Sequence, residues 1–364
     1  MGDAHSFTPM WASPPGQTIR TRLYELGLDV PDLAKRLGIS PSVVDGLLDG
    51  RAPISVEIAR RLSQVVGGSV EFWVSRDCQY RDDLIRVETD QWLSDLPVQE
   101  MTRLGWIRPD RDWTSRVSAC LSFFGVEDIK TWRATYEPIL TASRMRISAT
   151  VPRKNLAVAA WLRKATCEAE AVDVARWDAS LMRESLEAIK RLTRRKDPSD
   201  FLPKLRSLLA KTGVALVVLR TLPGCPASGA ARFMSTDRAM IVVSGRFLAD
   251  DQFWFTVIHE IGHLLLHGSQ NMILDDPYSY DKVETQEERE ANRFAADVLL
   301  PAGLRTQIPP SVLTHRDVIS LSIAAGVSPG IIVGQLQFEN RIGRNQLNML
   351  KRRYKWSGPS LEMV

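Results

Sequence analysis

Residues 253–268 read FWFTVIHEIGHLLLHG, and this stretch puts three of the chain's five histidines within nine residues. His259 and His263 are four positions apart. On a helix they stand about 40° from one another, so both imidazoles can reach a single ion. Glu260 lies about 100° from His259 and can stand beside that ion without ligating it. Val257, Ile258, Ile261 and Leu265 point away from the histidines. The stretch is therefore expected to be a helix with a dry face for packing on a sheet and a polar face left for chemistry. The competing reading is a pair of ordinary surface histidines on an amphipathic helix.

Two histidines do not complete a hydrolytic metal site, which needs a third protein ligand and one open position for water. In ETQEEREANRFAADVLLP, taken as a helix, Ala291, Ala295, Val298 and Leu299 mark the buried side, and Glu288 lies among them. Glu290 points about 200° away from Glu288. A carboxylate in an apolar stripe is costly unless it is paired or metal-bound, which makes Glu288 the candidate third ligand. The alternative for Glu288 is a capping box with Thr285, since TQEE has the required form. Asn292, one turn beyond Glu288, is placed to orient a ligand from behind. His267 sits about 6 Å further up its helix than His263, which assigns it to the cleft edge or to packing. With His259, His263 and Glu288 holding Zn²⁺, Glu260 is the expected general base that takes a proton from water and passes it to a leaving amine. Tyr278, Tyr280 and His315 are candidates for stabilising the oxyanion, each with a structural role as the competing reading.

The rest of the chain is read mainly at helical spacing. At about 150 residues per domain, 364 residues suggest two or three domains, and 44% hydrophobic with 25% charged residues suits globular cores. Residues 15–80 form short helical segments punctuated by Gly27, Gly38, Gly50 and Gly67. Residues 81–152 continue as a helical connector. At Gly213 the period changes: VALVVLR is β-branched, and GAARFM and AMIVVS flank a polar STDR turn, which predicts a small antiparallel sheet just before the histidine helix. Residues 153–305 thus form a mixed domain and 306–364 a C-terminal helical segment. The fold class expected is mostly α with a small antiparallel β-sheet.

The four cysteines form no CxxC pair, which argues against a zinc ribbon or a disulfide framework and fits a reducing cytoplasm. The opening MGDAHSFTPMWASPPG lacks a signal-peptide pattern, and no window approaches the ~18 uninterrupted apolar residues of a membrane span. Neither secretion nor a membrane is expected. A net charge of +4 permits nucleic-acid contact without demanding it. The basic run KRLTRRK, Lys190 to Lys196, reads as a solvated helix face, with nucleic-acid contact as the alternative.

The two motifs together, FWFTVIHEIGHLLLHG and EEREANRFAADVLLP, resemble the ImmA/IrrE family of zinc metallopeptidases, over roughly residues 155–300. The resemblance implies an α+β zincin-like fold of the gluzincin type, with His259, His263 and Glu288 as zinc ligands and Glu260 as general base. It also implies that the upstream hairpin offers an edge on which an extended peptide substrate pairs. DLAKRLGISPSVVDGLLDGRAPISVEIARRLSQVVGGSVEFWV resembles an XRE-type helix-turn-helix of the antitoxin-like branch. Its first helix would run from Val30 to Leu37 and its recognition helix from Pro41 to Asp49, with Lys35, Arg36 and Arg51 facing phosphates. The reader helix departs from the usual pattern by offering Asp45, Gly46 and Asp49, which repel phosphates or interrupt polar contact. Ser40, Ser42 and Arg51 remain for DNA contact, and a domain kept for dimerisation or partner docking is the alternative.

The fused arrangement recurs in stress-response and mobile-element regulators, which implies a bacterial regulator. Two classes of function follow. One is an intracellular zinc endopeptidase that cleaves a transcriptional repressor or antitoxin-like protein. The other is a helix-turn-helix regulator or antitoxin whose metallopeptidase-like domain senses a ligand or docks a partner. Cleavage of the chain between its own domains is a third reading.

Overall fold

The structure, a computed structural model, describes residues 11–144, 152–268, 273–275, 285–308 and 314–364. The chain divides into two compact units, Met1–Ser94 and Asp95–Val364.

The first unit is helical: α1 (Pro15–Leu26), α2 (Val30–Leu37), α3 (Pro41–Leu48), α4 (Val56–Val66) and most of α5 (Val70–Asp95). Asp29 caps α2 and exchanges reciprocal hydrogen bonds with Asp32, so the chain enters this helix at a defined residue. Gly38, at φ 63°, ends it in the left-handed conformation that opens the turn into α3. Ile19, Leu23, Leu33, Leu37, Val44, Leu47 and Leu62 close over a common core. The i, i+3, i+4 spacing seen in the sequence is the spacing that fills it. Gly46 differs from its expected place on the exposed reader face. It is buried, and a Cβ there would lie 3.2 Å from the Ala52 side chain.

The second unit begins with α6 (Val98–Arg103), α7 (Trp113–Phe124), α8 (Ile129–Arg144), α9 (Pro152–Glu170), α10 (Ala179–Leu192) and α11 (Pro198–Lys211). Strands β1 (Val214–Val218), β2 (Gly229–Ser235) and β3 (Arg238–Val243) follow, then α12 (Asp250–Leu266), β4 (Ile273–Asp275) and α13 (Gln286–Leu299). The remainder is α14 (Ala302–Arg305), α15 (His315–Ala325), α16 (Pro329–Phe338), a 3₁₀ turn at Asn348–Leu350, and a hairpin of β5 (Tyr354–Ser357) and β6 (Ser360–Met363). The closing hairpin is an addition to the helical pattern read for residues 306–364.

The main sheet has the order β1-β3-β2-β4. β2 and β3 form the expected hairpin, and β4 pairs antiparallel with the other edge of β2. β1 differs: it runs parallel to β3, so the sheet is mixed. Residues 219–228 are long enough to carry the chain past β3 and return it as β2, which a tight hairpin could not do. All five residues of β1 are buried, as expected for a strand covered on both faces. α9 covers one face through Arg232, whose Nη2 donates to Thr166 Oγ1 at 2.6 Å. The side chains of β2 alternate, so Gly229 and Ala231 face the opposite way, towards α12 and its core of Trp254, Val257, Ile258 and Ile261. Among the described residues no single helix is long and apolar enough to cross a membrane. The apolar α16 instead buries Ile331, Ile332, Val333 and Leu336 in the same core.

Candidate metal centre

α12 packs against β2, β3, α13 and α16, so both its dry and its polar face are enclosed. His259 and Glu260 are 0% exposed and His263 is 2% exposed. That removes the reading of two surface histidines: imidazoles carried this deep need partners that stay with them.

His259 Nε2 and His263 Nε2 stand 2.9 Å apart. Glu288 Oε2 is 3.4 Å from His259 Nε2, and Glu288 Oε1 is 3.6 Å from His263 Nε2. Three potential ligand atoms, one per residue, all lie within 4.8 Å of one another. Thr285 caps α13, with its Oγ1 accepting from Glu288 N at 3.3 Å. The two readings of Glu288 therefore describe different atoms: its backbone is capped, and its side chain turns into the cluster.

Burial by itself raises the pKa of Glu288, but the neighbouring imidazoles of His259 and His263 outweigh it and hold the carboxyl below its ordinary range. Burial pushes His263 down to about 4, against the pull of Glu288. At neutral pH the pair is thus a carboxylate beside a neutral imidazole, the protonation state a cation requires. Glu288 Oε1 is buried without a hydrogen-bond partner, an acceptor that a cation would satisfy. Two imidazole nitrogens and one carboxylate fit a metal ion with an open position.

The first residue of β2, Gly229, lies against the neighbouring acid, Glu260. A Cβ at Gly229 would be 2.4 Å from Glu260 Oε1 and 2.6 Å from Thr256 Cγ2, so only glycine lets the strand pass here. Of the hairpin expected to offer an edge to a substrate strand, one edge is occupied at Gly229, Ala230 and Ala231 by β4 and the other is paired with β1 from Ala239 to Val243.

Asn292 lines a cavity of about 360 Å³ between α12, α13 and α16, together with Asp251, Phe255, Arg305 and Gln335. Tyr278 and Tyr280 lie outside the described residues. His315 is exposed at the start of α15 and is not part of the cluster.

His267 is packed at the end of its helix, and Glu290 is placed differently from its sequence reading. His267 caps the end of α12 with its Nδ1 3.1 Å from His263 Nδ1, and its Nε2 is 3.0 Å from Glu290 Oε2. Glu290, expected to point away, thus reaches the same helix. The i+4 step from His263 to His267 was the available signal; only the packing of α13 on α12 supplies the carboxylate.

In the first unit, Lys35, Arg36, Ser40, Ser42 and Arg51 are all exposed. Arg51 Nη2 is held by Asp49 Oδ2 at 2.9 Å, and the hydroxyls of Ser40 and Ser42 bond each other at 2.9 Å. The run Lys190 to Lys196 is not a plain solvated face. Lys190 is buried and paired with Glu187, and the carbonyls of Thr193, Arg194 and Arg195 accept from Arg352.

Residues 216–333 match the model of a peptidase family described as the IrrE N-terminal-like domain. Residues 216–333, within the second unit, are thus similar to an IrrE N-terminal-like domain. The match contains the hairpin, the histidine helix, Glu288 and the first half of α16, so the candidate metal centre lies wholly within the matched residues. The N-terminal region is similar to an uncharacterized HTH-type transcriptional regulator of Escherichia coli, YddM. That relative is 36% identical over 61 residues, which are 17% of this chain and 65% of the relative's length. The two matches support a helix-turn-helix region joined to an IrrE-type peptidase domain, and a metallopeptidase family implies a metal.

Proposed function

We propose that the chain is a zinc-dependent endopeptidase of a bacterial regulatory system, acting in the cytoplasm on a transcriptional repressor or antitoxin-like protein. The observation that carries this reading is the buried convergence of His259, His263 and Glu288, with Glu260 on the next helical position. His259, His263 and Glu288 would hold the ion, and Asn292 would orient the ligand set from α13. When bound, zinc supplies Lewis-acid polarisation of water and of the scissile carbonyl. Glu260 takes the proton of the attacking water and delivers it to the leaving amine. Burial of this carboxylate keeps bulk water from competing for the proton. Residues 153–305 form the peptidase domain and 306–364 its C-terminal extension, while residues 81–152 connect it to the helix-turn-helix domain at 15–80. The latter docks the substrate or a second copy of the chain.

The reading is tested on the purified chain by its zinc content and by cleavage of a co-encoded repressor, with Glu260→Gln as control. Cleavage that requires Glu260 is expected. A protein that cannot be loaded with metal overturns the reading. Fragments of the chain itself, appearing with native protein but not with Glu260→Gln, would identify it as its own substrate.

A second reading is favoured by the similarity to a relative named as a transcriptional regulator. Here Lys35, Arg36, Ser40, Ser42 and Arg51 hold DNA and the peptidase-like domain acts as a sensor. It predicts operator binding whose affinity falls with salt, and regulation unchanged by Glu260→Gln.

A further inference from the structure

We propose that Glu290 and His267 form a relay that positions His263 for metal binding. The proposal rests on the metal reading of His259, His263 and Glu288 above. Its basis is a continuous line of contacts from α13 back to α12. Glu290 Oε2 is 3.0 Å from His267 Nε2, and His267 Nδ1 is 3.1 Å from His263 Nδ1. Both separations lie in the hydrogen-bonding range. The other carboxylate oxygen, Glu290 Oε1, accepts from Gln286 Nε2 at 2.8 Å, which keeps the group from rotating away.

The direction of each bond follows from what the groups can donate. A carboxylate only accepts, so His267 Nε2 carries the proton in that contact. A neutral imidazole protonated on Nε2 offers a lone pair on Nδ1. That lone pair can accept only if His263 Nδ1 is the protonated nitrogen. A metal-binding His263 is neutral and has a single ring proton, so its Nε2 keeps a free lone pair. This is the atom that faces His259 Nε2 at 2.9 Å and Glu288 at 3.6 Å. The relay therefore selects the tautomer of His263 that can ligate and holds the plane of its ring.

Helix geometry explains why His267 serves this purpose rather than ligation. It is a full turn beyond His263, about 6 Å along the axis, too far to share the ion but near enough for ring-to-ring contact. Glu290 is two residues after Glu288, so α13 contributes a ligand from one position and an orienting carboxylate from another. His267 is 11% exposed and Glu290 is 46% exposed, so the relay runs from the protein surface to a buried ligand.

The test is Zn²⁺ affinity of the 364-residue chain, measured by competition with a chromophoric chelator, for native protein and the variants His267→Phe, His267→Asn and Glu290→Gln. His267→Phe is expected to weaken binding about 10- to 100-fold. Glu290→Gln, whose amide oxygen can still accept from His267, is expected to weaken it less. Asparagine places an oxygen where His267 has Nδ1, so His267→Asn is expected to recover most of the loss. The d–d spectrum of the Co²⁺-loaded protein should shift in His267→Phe and stay near native in His267→Asn. A purely structural role would instead change the melting temperature of the metal-free protein with metal affinity unmoved. If His267→Phe and Glu290→Gln both bind Zn²⁺ within about twofold of native protein, where about 10-fold or more is expected, the relay is overturned and the metal site stands. Failure of native protein to take up any metal removes both. Glu290 is half exposed, so its variant reports even where a substitution at His267 prevents folding.

Discussion

Replacing Asp250 with Asn should stabilise the second unit at neutral pH and lose that advantage near pH 4. Asp250 is the first residue of α12 and is 0% exposed. Its Oδ2 accepts from Ser328 Oγ at 2.8 Å and its Oδ1 accepts from the backbone N–H groups of Asp251 and Arg352, each at 3.0 Å. Burial drives its pKa up from 3.8 to about 6; Asp251 adds to the rise, while Ser328 and Arg352 oppose it. The other titratable groups nearby are Lys351, which is spent on Asp251 at 2.6 Å, and the buried, neutral phenol of Tyr354, its pKa raised first by burial and in part by Asp250. A carboxyl whose folded pKa lies above its unfolded value makes the folded state bind more protons between the two. The contribution of Asp250 to stability therefore falls as pH rises from about 4 to about 6 and stays lowered above that. At about 1.4 kcal/mol per pH unit, ionised Asp250 costs about 3 kcal/mol at pH 7. Asparagine is neutral throughout. Its oxygen can keep both backbone bonds, and its amide can donate to a rotated Ser328 hydroxyl. Urea unfolding of native and Asp250→Asn protein at a series of pH values, following the transition of the second unit, measures the difference. The variant should gain about 1–3 kcal/mol at pH 7, and its advantage over native protein should grow as pH rises from about 4 to about 6; His263, whose folded pKa is lowered, tilts both proteins alike in that window. A difference between the two proteins that stays constant with pH, or a variant less stable at pH 7, would refute this role of Asp250.

Three further outcomes follow from particular contacts. Gly229→Ala should displace the Glu260 carboxylate, which stands 2.4 Å from the new Cβ; peptidase activity should fall about 100-fold or more while metal content is retained, measured by turnover and metal analysis on one sample. Lys351→Met strips the partner from Asp251, a pair with side chains only 10% and 3% exposed, and chemical denaturation should show a loss of about 3–5 kcal/mol. Asp49→Asn releases Arg51 from its 2.9 Å ion pair on an exposed turn, with less than about 1 kcal/mol change in stability. If the helix-turn-helix touches DNA, salt titration of binding should steepen by about one counterion; identical slopes would favour partner docking.

Helices were the most legible part of the chain. The i, i+3, i+4 spacing around Leu33, Leu37, Val44 and Leu47 encodes a buried stripe directly, because helical neighbours in space are neighbours in sequence. Glu288 was legible for the same reason: an acid at a core position of its own helix needs a partner wherever that helix packs. The parallel pairing of β1 with β3 was not legible, since VALVV states only that the strand is buried. Gly46 was misplaced on the reader face because a wheel cannot see Ala52 arriving from the next turn of chain.

By itself, the sequence determined the local chemistry: two imidazoles on one side of a helix, a carboxylate beside them, and a second helix carrying an acid on its apolar side. Those relations span at most a few residues, and backbone geometry enforces them in any context. The tertiary structure decided which distant groups meet. It set Glu288 within 3.6 Å of both histidines, brought β2 against Glu260, covered the β2 edge with β4, and joined His267 to Glu290. Those contacts cross from one element to another. Their geometry depends on how α12, α13 and the sheet pack together, which no periodicity within a single segment contains.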